Sequence, residues 1–89
     1  MAEHLAAYVA ILRWSFPHGI QDEDRGALMA AIYDEFSERN LGEVLEDFLG
    51  GDRHQLLGEA IQARSTYSHG PQVDGIRRLL QEQGWQFDS

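Results

Sequence analysis

Asn40-Leu41-Gly42-Glu43-Val44-Leu45-Glu46-Asp47-Phe48-Leu49-Gly50-Gly51 places leucine, valine and phenylalanine at i, i+3, i+4, i+7 and i+8. That spacing lines one side of an α-helix. Asn40 followed by Glu43 has the form of a capping box with Asn as the cap. Gly50-Gly51 supplies the left-handed backbone that a helix stop uses. The stretch reads as a helix marked at both ends.

Working outward, the same period recurs on both sides, and no segment alternates with a period of two. Upstream, Asp22-Glu23-Asp24 stands where a helix start favours negative charge. Leu28, Met29, Ile32, Tyr33 and Phe36 then predict a second helix ending near Ser37–Arg39. A first helix is predicted over Ala2–Ser15, with Leu5, Tyr8, Val9, Leu12 and Phe16 in one stripe that Ile11 and Trp14 widen. So broad an apolar surface predicts a central position for it. Pro17 ends it, because the residue before proline avoids helical angles.

Downstream, Asp52 and Gln55 open a fourth helix expected to bury Leu56, Leu57, Ala60 and Ile61. Ser65–Gly70 reads as a polar connection, and Pro71 suits a first helical position. A fifth helix over 71–83 uses Val73, Ile76, Leu79 and Leu80. Gly84 stops it, which predicts a contact from Trp85 back to Leu80. Short connections make successive helices neighbours. The expectation is an all-α single domain over 1–89, a compact bundle of about five short helices. Its main bundle spans 1–65, and a C-terminal helix with a tryptophan-bearing tail spans 71–89.

The 89 residues contain no cysteine, so neither a disulfide nor a thiolate metal site can hold them. Apolar residues make up 43% of the chain, enough for a core and too little for a membrane segment. The longest apolar run, Leu5–Leu12, falls far short of the ~20 residues of a spanning helix. Glu3 and His4 stand where a secretory signal wants basic residues, so the expected location is cytoplasmic. The net charge is −8, with seven bases, all of them arginine. Residues 22–47 alone hold nine acids against Arg25 and Arg39. Such a surface repels phosphate backbones and anionic lipid and attracts a basic partner.

Three segments carry a resemblance. They are Tyr8–Pro17 (YVAILRWSFP), Asp24–Ile32, and Gly70-Pro71 through Ile76-Arg77 to Gly84-Trp85. Together they resemble a small actinobacterial, mainly mycobacterial, family known as domain of unknown function 3349, over roughly Tyr8–Trp85. Gln86 and Gln21 depart from its pattern at two turns. The resemblance implies an all-helical domain and a mycobacterial source, and it implies no activity, cofactor or catalytic residue.

No motif of chemistry is complete. His4, His18, His54 and His69 include no i, i+4 pair, so no metal is expected. Counted as a calcium loop from Asp22, the chain puts Gly26, Ala27 and Tyr33 where an oxygen ligand, a glycine and a glutamate are required. Ser65, Ser68 and His69 lack a group to orient the histidine. Leu41–Arg64 has helix-turn-helix length, with Arg53, His54, Gln55, Gln62 and Arg64 facing DNA in that reading. Glu43, Glu46 and Asp47 on its first helix oppose phosphate, so nucleic acid is not the expected partner. The expectation is a non-enzymatic protein-interaction module without cofactor, meeting a basic partner or a second copy. The candidate surface is Trp14, Tyr33, Glu43, Glu46, Asp47, Trp85 and Phe87. The alternatives are a helix-turn-helix-like DNA-binding regulator, a small enzyme, or a subunit of a larger complex.

Overall fold

Proline, glycine and serine decide where the helices break. In the computed structural model, which describes residues 3–67 and 70–87, α1 (Glu3–Ser15) stops two residues before Pro17. The chain turns through Gly19 at φ 85° and enters α2 (Asp22–Ile32). A 3₁₀ turn over Tyr33–Glu35 leads to α3 (Glu38–Leu49), α4 (Arg53–Tyr67) and α5 (Pro71–Glu82). The described residues form an all-α bundle of five helices and no strand, measuring 31 × 27 × 27 Å.

Several boundaries move from their expected places. The second helix ends at Ile32, and the 3₁₀ turn after it leaves Phe36 extended at φ −137°, ψ 156°. Ser37 therefore already has the extended backbone of a cap, and its Oγ accepts the Asn40 backbone N–H at 3.2 Å. Ser37 caps α3, and Asn40 sits inside the first turn. Helix α4 continues through Ser65, Thr66 and Tyr67, so half of the expected polar connection is helical. Ser68 and His69, the expected helix start at Ala2 and the last two residues of the tail lie outside the described residues.

The middle of the bundle is α2, not α1. Ala27, Leu28, Met29, Ala31 and Ile32 are all buried, and α2 packs most extensively on α4, then on α5. A central helix must be approached closely, and small side chains permit it. Buried Ala27 and Ala31 on α2 are matched by buried Ala60 and Ala63 on α4. The Tyr67 ring lies so close to Gly26 that a Cβ there would fall 2.5 Å from Cε2. Helix α1 packs chiefly on α3 and α5, and the surplus of its apolar circumference faces out, with Trp14 67% exposed. Likewise Ile61, expected in the core, is 52% exposed, because the inner stripe of α4 runs through Leu56, Ala60 and Ala63.

The last turn closes the bundle. Trp85 N–H donates to the Leu80 carbonyl at 3.0 Å and Gly84 N–H to Gln81 at 3.1 Å, with Gly84 at φ 108°. This is the expected Schellman stop. It folds Trp85 inward until 2% of the residue is exposed. The indole centroid lies 4.6 Å from Tyr8 on α1, 5.9 Å from Phe36 and 5.6 Å from Phe87. Its Nε1 is buried without a hydrogen-bond partner.

Urea unfolding of three variants checks this packing. Trp85→Ala lowers stability by about 3–5 kcal/mol through the cavity it leaves. Trp85→Phe lowers it far less, since it keeps a ring and removes an orphan donor that itself costs about 1–3 kcal/mol. Gly26→Ala lowers stability by no more than about 2 kcal/mol, since moving the Tyr67 ring costs about 1–3 kcal/mol and alanine returns about 1 kcal/mol of helix propensity.

Candidate functional site

The Ser37 cap and the Gly50 stop fix the ends of α3, and its buried stripe fixes its rotation about the axis. With Leu41, Val44 and Leu45 buried, Glu43 and Glu46 are half-buried and Asp47 is exposed. These three carboxylates and Arg53 line a groove of about 290 Å³ where α3 meets the start of α4. Gly42 makes that meeting close. The Arg53 stem lies across it, with Cγ 2.6 Å and Cδ 2.9 Å from where a Cβ would stand.

Each end of the groove is tied by an arginine. Arg53 Nη2 donates to Glu46 Oε1 at 3.2 Å, while Arg53 Nε is buried without an acceptor. From α1, Arg13 Nη2 donates to the Asp47 carbonyl at 3.2 Å and lies 3.4 Å from its Oδ1. Among the described residues, no hydrogen bond or ion pair engages the Glu43 carboxylate. The groove thus holds three anions against two cations, and one anion is uncommitted.

Elsewhere, several acids and bases link helices. Asp24 Oδ1 and the Glu23 carbonyl both accept from Gln72 Nε2 at 2.9 Å, which fastens the start of α5 to the start of α2. Arg25 and Glu59 form a bidentate pair at 2.9 and 3.1 Å between α2 and α4. Arg64 lies 3.3 Å from Asp34 Oδ1 and 4.8 Å from the centre of the Tyr33 ring. Both arginines that the DNA-facing arrangement would use on α4, Arg53 and Arg64, are therefore held by carboxylates. His54, Gln55 and Gln62 are exposed. Among the described residues no group of three or more histidines and carboxylates is placed to hold a metal ion, and no helix is long and apolar enough to cross a membrane.

The aromatic members of the expected surface do not assemble into one exposed patch. Trp85 belongs to the core, which corrects its place on that surface. Phe87 is half-buried, stacked on Trp85 with the Arg77 guanidinium 4.3 Å from its ring centre. Tyr33 is half-buried beneath Arg64. Trp14 alone stands out in solvent. What sequence reading missed is the pair of arginines bounding the groove: Arg13 is 34 residues from Asp47, and no local spacing signals such a contact. Gly42 inside an otherwise regular helical pattern was the one available sign of close approach.

Compared with protein families, curated proteins and solved structures, the chain matches none.

In a double-mutant cycle, Glu46→Gln and Arg53→Ala show a coupling of about 0.2–1 kcal/mol, as for other exposed ion pairs. Arg53→Ala alone costs more than Glu46→Gln, because its stem also covers the α3–α4 contact at Gly42. Thermal or urea unfolding of the three variants checks both.

Proposed function

We propose that the chain is a non-enzymatic protein-interaction module whose α3 face receives a basic partner. The observation that carries this is the groove, where Glu43, Glu46 and Asp47 converge and Glu43 has no cation of its own among the described residues. A guanidinium or ammonium group entering there finds a half-buried carboxylate already positioned, and the chain's −8 charge steers it inward. The helix-turn-helix-like reading would need Arg53 and Arg64 to leave Glu46 and Asp34 for phosphate, which favours the protein partner.

Titration with an arginine-rich peptide tests the proposal. Binding should be measurable at low salt and weaken steeply as salt rises. Glu43→Gln is the informative variant, since Glu46 and Asp47 also hold neighbouring helices. It should weaken binding by roughly 5- to 10-fold while leaving the unfolding midpoint unchanged. Absence of binding at low salt, or binding indifferent to Glu43→Gln, rejects this site.

A further inference from the structure

Helix α1 is apolar around most of its surface, and the bundle uses only part of it. Leu5, Val9 and Leu12 are buried, Tyr8 meets Trp85, and Arg13 reaches across to α3. On the outward side stand His4, Ala7, Ile11 and Trp14, spaced i, i+3, i+7 and i+10. That is the spacing of a seam between two helices. His4, Ala7 and Trp14 are exposed and Ile11 is half-buried. No formally charged residue lies between Glu3 and Arg13.

This face carries both a hollow and a projection. Toward the start of α1, His4, Ala7, Tyr8 and Ile11, with Gly84 and Gln86 from the closing turn, line a groove of about 300 Å³. Toward its end, the Trp14 indole stands in solvent. If a second α1 is laid antiparallel on the first, Ile11 falls opposite Ala7 and Trp14 opposite His4. Each tryptophan then reaches the hollow of the other copy, and the two contacts are related by a two-fold axis. Charge permits this occupant on α1 although it opposes it elsewhere. Two chains at −8 repel each other through their acidic faces, and they approach at least electrostatic cost along an uncharged one. Ile61, the other large apolar residue in solvent among the described residues, lines neither the α1 groove nor the α3 groove.

We propose that α1 is a self-association surface, on which Trp14 of one copy enters the groove formed by His4, Ala7, Ile11 and the Gly84–Gln86 turn of a second copy. The dimer is of the weak, small-interface kind, and it leaves the α3 groove free, so it stands or falls separately from the basic partner.

Sedimentation equilibrium of the full chain, from about 10 µM to about 1 mM, reads the association. The mean mass should rise from one chain toward two. Trp14→Ala and Ala7→Glu should each weaken association at least about 10-fold, with the helical circular dichroism spectrum retained. Ile61→Ala should leave it unchanged. In a Trp85→Phe background, Trp14 emission should shift to shorter wavelength as concentration rises. A monomer throughout the range, or a dimer indifferent to both α1 variants, overturns the proposal.

Discussion

Closure of the bundle depends on one aromatic stack, in which Trp85, five residues after Leu80, returns across the core to meet Tyr8 near the start of the chain. A domain this small and without cysteine has only apolar burial to offset an ordering entropy of about 1.5 kcal/mol per residue. Few side chains can bury as much surface as an indole. By touching Tyr8, Phe36 and Phe87 at once, it joins α1, the segment after the 3₁₀ turn and the C-terminal turn. Among the described residues its Nε1 has no hydrogen-bond partner, a cost that the burial of the ring has to offset.

The arginines follow from the same shortage of interior. Arg13 links α1 to α3, Arg25 links α2 to α4, Arg53 links α3 to α4, and Arg64 links α4 to the 3₁₀ turn. Arg77 covers Phe87 beside the closing stack. A planar guanidinium can hold a carboxylate with its fork and cover an apolar or aromatic surface with its stem or face. Singly, such exposed pairs contribute little. Collectively they place cations at the seams between helices.

Legibility in the sequence varied with the range of the interaction. Helix number, the Pro17 break, the Gly50-Gly51 stop and the Gly84-Trp85 turn all depend on residues within one helical turn of each other, and local pattern was sufficient for them. The start of α3 was read at Asn40 although Ser37 caps it, because the deciding event is the 3₁₀ turn that leaves Phe36 extended. The central role went to α1, the most apolar helix, whereas close packing favoured α2 with its glycine and alanines. The acids of the candidate groove were visible as a cluster. Their pairing with Arg13 and Arg53, and the solitary state of Glu43, were not.

Sequence alone determined the all-helical class, most helix boundaries and the accumulation of acids between residues 22 and 47, because backbone preference and charge are carried by neighbouring residues. Tertiary structure decided which apolar stripe became the centre, which tryptophan was buried and which was left in solvent, and which carboxylates of the α3 groove met an arginine. Those outcomes turn on how closely two helices can approach and on contacts between residues tens of positions apart. Neither quantity is written in any local window of the chain.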